Sequence, residues 1–298
     1  MLKPIITILL ITNFSLFAQL MEDSIKVNDM EVQKAVELYE KQDYKTAQST
    51  LELIIDKNDK NAEAYYVLSK VLFRMDELGD AIDAAEASVE LNDKNVDYHF
   101  NLALLYSVDV QDASIFRITS VASSLEEELL ATLKLKPVHV DAIVYLAEFY
   151  TQMPGILGGD IDKAIEQANI LIKLDEKRGR LAFAKIYDKQ ENKQEAEDEY
   201  KILETKFGND PENFDLYNSY GYFLLDQGRI NEAIQKFKIQ VELAPNDANA
   251  HDSLGDGYLK KGMLKESLEE YTKTLELNPK SENAKKMIEE IKERISNE

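Results

Sequence analysis

The sequence predicts an all-α protein, a solenoid of about seven helix pairs closed by one C-terminal helix. Three observations predict it. Residues 214–281 repeat with a period of 34, a pair of small residues recurs twelve positions apart in unit after unit, and an amphipathic run follows Ser281. A period of that length marks a stacked two-helix unit, in which neither helix buries its apolar face without the next unit.

The period is clearest when "FDLYNSYGYFLLDQGRINEAIQKFKIQVELAPND" (214–247) is laid over "ANAHDSLGDGYLKKGMLKESLEEYTKTLELNPKS" (248–281). Gly221 then matches Gly255, Gly228 matches Gly262, and Ala233 matches Ser267. Phe237 likewise matches Tyr271, Val241 matches Leu275 and Pro245 matches Pro279. Gly255 and Ser267 are small because the two helices cross most closely there, and a larger side chain would force them apart. Gly262 gives the turn a left-handed backbone at little cost, and Pro279 stops the second helix. Tyr258 and Tyr271 are expected to fill the space between neighbouring units.

A Leu-Gly pair, a turn glycine, an alanine, an aromatic and a closing proline in this order closely resemble the tetratricopeptide repeat. The resemblance covers roughly residues 28–281. It implies a right-handed α-solenoid whose stacked first helices line a concave face.

The frame continues toward the N-terminus with weaker matches. Its small pairs are Ala35 and Ala47 in 28–61, Ser69 and Ala81 in 62–95, and Ala184 and Ala196 in 177–213. Two units depart from the period. The third opens with "HFNLALLY" and carries about ten extra residues, placing an insertion at 107–120. The fourth carries "TQMPGILGGD", an insertion at 153–160, in which Pro154 ends one helix, Gly158 and Gly159 turn the chain, and Asp160 can cap the next helix. This P-x-x-x-G-G-D turn after a lengthened third unit is similar to a subset of exported bacterial tetratricopeptide proteins. Related units occur in tetratricopeptide subunits of some periplasmic substrate-binding transport systems, and residues 214–284 resemble the repeat tails of some exported serine hydrolases.

After Ser281, residues Ala284, Met287, Ile288, Ile291 and Ile295 recur at helical spacing. A helix over 282–298 is expected to cover the open face of the last unit. At the other end, Lys3 precedes an apolar run from Ile5 to Phe17 with Ala18 after it, the pattern of a cleaved signal peptide over 1–18 followed by a linker at 19–27. The protein is therefore expected to be periplasmic or secreted. With no cysteine there is no lipid-anchoring thiol, no disulfide and no thiolate chemistry.

Fifty-six acidic against thirty-five basic residues give a net charge of −21. Such a surface repels phosphate backbones and anionic lipid, which argues against nucleic acid and, after signal cleavage, against membrane. A cationic or amphipathic protein or peptide is the better-matched partner.

No constellation marks an active site, metal or cofactor. His99 and His251 occupy equivalent early positions in first helices, where packing aromatics belong, and His139 lies between helices. The Asp/Asn-rich runs at 56–61 and 92–95 lack the glycine and glutamate of a calcium loop. Ser253 lies in "DSLGD" rather than a nucleophile elbow, and the Gly158-Gly159 turn lacks the lysine of a phosphate loop.

Helical phase places thirteen candidate contact residues on the concave face. Tyr66, Lys70, Phe73 and Arg74 come from the second unit, and Phe100, Asn101 and Leu104 from the third. Asn218, Tyr222 and Leu225 come from the sixth, and Asp252, Asp256 and Lys260 from the seventh. Exposed aromatic, amide and charged side chains of this kind suit an extended peptide. The function expected is a non-enzymatic exported scaffold. The alternative is a small-ligand-binding accessory subunit of a periplasmic transport system, with the insertions folded over the concave face to close a pocket.

Overall fold

The computed structural model describes residues 25–114 and 116–297. The predicted signal peptide and most of the linker lie outside the described residues. Among the described residues every regular element is helical, and no helix is long and apolar enough to cross a membrane. The chain divides into two compact units, 1–182 and 183–298.

Unit 1 holds four helix pairs: α1 (Met30–Glu40) with α2 (Tyr44–Lys57), α3 (Ala62–Arg74) with α4 (Leu78–Leu91), α5 (Val96–Asp112) with α6 (Ile118–Leu135), and α7 (Val140–Gln152) with α8 (Ile161–Leu174). The second helix of each of the first three pairs packs on the first helix of the next. Helix α9 (Glu176–Lys189) carries the chain across the division. Unit 2 continues with α10 (Lys193–Phe207), α11 (Phe214–Asp226), α12 (Ile230–Leu243), α13 (Ala248–Lys261), α14 (Leu264–Leu277) and α15 (Glu282–Ser296).

Local sequence sets these boundaries. Asp43 accepts the Thr46 amide at 3.3 Å, Asn61 the Ala64 amide at 3.1 Å and Asp247 the Ala250 amide at 2.8 Å. Each satisfies one of the donors a helix start leaves unpaired, a contribution of about 1 kcal/mol. The Asp/Asn-rich turns at 56–61 and 92–95 thus supply caps, with Asn61 opening α3 and Asn95 opening α5.

The small pairs sit where the spacing places them. Ala35, Ala47, Ser69, Ala81, Ala184, Ala196, Ala233 and Ser267 are all 0% exposed. In the last pair the Ser267 hydroxyl donates to the Gly255 carbonyl at 2.8 Å, so the helices touch backbone to side chain. A Cβ on Gly221 would come within 2.3 Å of the Phe237 ring, and one on Gly255 within 3.2 Å of Tyr271. The turn position follows the same frame. Gly228 and Gly262 adopt φ of 74° and 81°, and Gln42, Asp76 and Glu191, at the same place in their units, adopt 61°, 64° and 64°.

Within the insertion at 107–120, α5 and α6 have 17 and 18 residues against 13 and 14 in α3 and α4, so extra residues extend both helices, α5 to Asp112 and α6 from Ile118. The insertion at 153–160 is a tight turn: a 3₁₀ segment, Gly155–Leu157, packs against α6, and Gly158 follows at φ 96°. A Cβ on Gly159 would lie 1.7 Å from the Met153 carbonyl oxygen, so only glycine fits. Asp160 then accepts from the amides of Asp162 and Lys163, starting α8. At the far end, Ala284 and Ile291 of α15 are fully buried with Tyr271, and Met287, Ile288 and Ile295 pack around them.

Candidate peptide-binding groove

Five of the thirteen candidate contact residues meet in unit 1. Tyr66 and Lys70 of α3 and Phe100, Asn101 and Leu104 of α5 line a groove of about 460 Å³. The segment from Lys136 to Asp141, leading into α7, forms its other wall, with Lys26 and Asp97. These five are floor rather than exposed surface, at 8%, 4%, 8%, 2% and 2% exposure, which corrects the expectation of exposed Tyr, Phe and Asn. First helices of neighbouring pairs approach closely enough that these side chains interdigitate. Phe100 lies 4.5 Å from the His139 ring and 6.1 Å from Tyr145, while Tyr66 lies 5.0 Å from Tyr98 with the Lys70 ammonium over its ring.

The groove is polar at its rim, and its floor sets Lys70 and Asn101 among apolar side chains. Lys26, Lys70 and Lys136 bring three positive charges and Asp97 and Asp141 two negative, a local balance opposite to that of the whole chain. Asp141 is held by Arg178. His139 caps α7 by accepting the Ala142 amide at 3.3 Å, and burial, aided by the Lys136 charge, lowers its imidazole pKa. Asn101 donates to the Ser69 hydroxyl at 2.8 Å, which itself donates to the Tyr66 carbonyl at 2.7 Å. The Asn101 side-chain oxygen is left buried with no hydrogen-bond partner among the described residues. Phe73 and Arg74 are not among the groove's lining residues: Arg74 donates to the Tyr44 hydroxyl at 3.2 Å and lies over that ring.

The candidates of unit 2 behave differently. Asn218 accepts from Ser253 at 2.8 Å. Asp256 accepts from the hydroxyls of Tyr222 at 2.7 Å and Tyr271 at 2.5 Å, and Asp252 accepts from the Asn283 amide at 3.2 Å. These contacts tie α11 to α13, and α13 to α14 and α15. Leu225 is half-buried and Lys260 exposed.

Helical phase could not find Lys26, Lys136, Val138 or His139, because they lie in connecting segments. His99 and His251 are buried and bonded alike. Each sets Nδ1 against a carboxylate, Glu128 at 2.6 Å and Glu270 at 2.7 Å, and Nε2 against a backbone carbonyl. Both clamp the two helices of a pair and neither reaches the groove.

The groove lies in a fold with known counterparts. A tetratricopeptide repeat protein from Parabacteroides merdae ATCC 43184 superposes with a TM-score of 0.68 at 17% identity, over 92% of this chain and 99% of that one. Yeast Tom70 gives 0.67 at 16% identity over 92% of this chain, and a chain of the APC/C Cut9–Hcn1 hetero-tetramer gives 0.53 at 13% over 93%. This chain spans 59% of the Tom70 chain and 51% of the Cut9–Hcn1 chain, and at these identities the likeness shows the fold alone. No curated protein sequence matches. The tetratricopeptide repeat family model matches residues 32–96 and 181–248, one stretch in each unit. Within those two stretches the paired helices, the small residues twelve apart and the left-handed turns at 42, 76, 191 and 228 are similar to the tetratricopeptide repeat.

Proposed function

We propose that this protein is an exported, non-enzymatic scaffold that holds a protein or peptide partner in the groove between α3, α5 and α7. One observation carries the reading: Tyr66, Phe100 and Leu104 form an apolar base, with Lys70 buried beside them and Lys26 and Lys136 exposed at the rim, a combination suited to an extended segment with apolar and acidic side chains. A basic partner fits this groove less well than the acidity of the whole chain suggests. The chain's net charge of −21 disfavours nucleic acid and anionic lipid. No described residue of 107–120 or 153–160 lines the groove, so a pocket closed by the insertions, as the small-ligand reading requires, has no support here.

Lys136 and Val138 are exposed at the rim, so Lys136→Glu with Val138→Glu should leave the fold intact. A photo-crosslinker at position 138 should capture a partner from native envelope extract, and the Lys136→Glu substitution should reduce that capture several-fold at unchanged thermal stability. Capture indifferent to Lys136→Glu would overturn the groove assignment. Export is tested separately by recovering the protein from the periplasmic fraction of an expressing Gram-negative host. Its sequence should begin near Gln19; a cytoplasmic chain that still begins at Met1 would refute it.

A further inference from the structure

Helix α3 carries a second groove on its other face. Residues 65 and 66 are adjacent in sequence but point about 100° apart on a helix, so Tyr66 joins the lysine-rimmed groove while Tyr65 faces away from it. There Tyr65, Leu68 and Leu72, with Ala84 of α4, make the apolar base of a trough of about 430 Å³ between α2 and α4. Its walls are Gln48 and Glu52 from α2 and Glu77, Asp80 and Asp83 at the start of α4. Leu53, next to Glu52, is 61% exposed.

Charge decides what this trough can accept. Its lining holds four carboxylates and no cation, and among the described residues no lysine, arginine or histidine forms an ion pair with any of the four. Other acidic residues of the chain are matched, as Glu197 is by Arg229 at 2.7 Å and Glu204 by Lys236 at 2.6 Å. An anionic segment would meet uncompensated repulsion here, and a neutral apolar one would leave the wall charges unused. We infer that the trough between α2, α3 and α4 is a second docking surface, and that its occupant is a basic amphipathic segment of another protein. Its apolar side chains would lie on Tyr65, Leu68 and Leu72, and its lysines or arginines would face Glu52, Asp80 and Asp83. A second copy of this chain is a poor occupant, since each copy carries −21.

The test is a titration of the full-length protein with a fluorescent amphipathic lysine–leucine peptide, followed by anisotropy. Saturable one-to-one binding is expected, weakening as salt rises. Glu52, Asp80 and Asp83 are exposed, so Glu52→Gln, Asp80→Asn and Asp83→Asn together should keep the fold while weakening binding about tenfold. Lys136→Glu with Val138→Glu in the other groove should leave this affinity unchanged. Binding that survives the triple substitution would place the peptide elsewhere on the acidic surface and overturn the inference. So would an oligolysine without leucines binding equally well, because the apolar base would then play no part. Concentration-dependent dimers abolished by the triple substitution would assign the trough to a second copy instead.

Discussion

The two units use equivalent first-helix positions in opposite ways. In unit 1 the side chains of Tyr66, Lys70, Phe100, Asn101 and Leu104 end on a groove. In unit 2 Asn218, Tyr222, Asp252 and Asp256 end on Ser253, Tyr271, Asn283 or one another. Two asparagines, one position apart in the repeat frame, illustrate the difference. Ser253 donates to the Asn218 oxygen, so that acceptor is used. Ser69 has already given its proton to the Tyr66 carbonyl, so it can only accept from Asn101, and the Asn101 oxygen stays unpartnered among the described residues. One repeat geometry therefore ties neighbouring helices together in unit 2, and in unit 1 sets the same kind of side chain along a groove.

The strongest way to break this comparison is Asp256→Ala. It removes the acceptor shared by the Tyr222 and Tyr271 hydroxyls, and Tyr271 is fully buried. Two stranded hydroxyls at about 1–3 kcal/mol each predict a loss of about 3 kcal/mol, read by hydrogen exchange in α13 and α14. Lys136→Ala at the groove rim should change the stability of unit 1 by less than about 0.5 kcal/mol. If the two substitutions cost the same, the unit 2 residues are not acting as glue.

The register of the helix pairs was legible in the sequence because close helix crossings admit only small side chains. The twelve-residue spacing therefore survives even where other consensus residues are gone, as at Ala184 and Ala196. The groove was half legible. Helical phase located Tyr66, Lys70, Phe100, Asn101 and Leu104, but phase is silent on connecting segments, and Lys26, Lys136 and His139 come from those. Nor does phase report depth, which is why floor residues read as exposed ones. The form of the insertion at 107–120 was not legible, because "SVDVQDASIF" mixes apolar and polar residues without a stop signal, and packing of α5 on α6 decides that its start continues the helix.

Acid should move the two units in opposite directions. Burial, and next the Asp256 charge, push the Asp252 carboxyl up to about 6 from 3.8. A group whose pKa is raised by folding contributes stability that is fully present below 3.8 and lost as pH rises through about 6. Unit 2 should therefore gain about 1–2 kcal/mol as pH falls from about 7 to about 5. Glu197, held at about 2 by Arg229, acts with the other sign, but its contribution is lost only as pH falls below 4.5 toward 2. In unit 1 the His139 pKa is lowered from 6.5, so the stability it contributes is present above 6.5 and lost as pH falls through its folded value. Hydrogen exchange at the two pH values should show α13–α15 tightening while α7 loosens, and Asp252→Asn should flatten the response of unit 2. Parallel shifts in both units would mean that a global charge effect outweighs these two sites.

The smallest expected effect separates openness from weakness in unit 1. Gln42 and Asp76 hold, at φ of 61° and 64°, the left-handed turn position that glycine holds in both near-consensus pairs of unit 2. A left-handed non-glycine residue costs about 1–2 kcal/mol, of which glycine's extra freedom in the unfolded chain returns about half. Gln42→Gly and Asp76→Gly should each stabilise unit 1 by about 0.5–1 kcal/mol, measured by urea unfolding. Partner capture at position 138 should not change, because neither Gln42 nor Asp76 lines the groove. Capture that falls as these substitutions stabilise the unit would show that the groove opens only through local loosening, and the contrast between the units would then be one of rigidity.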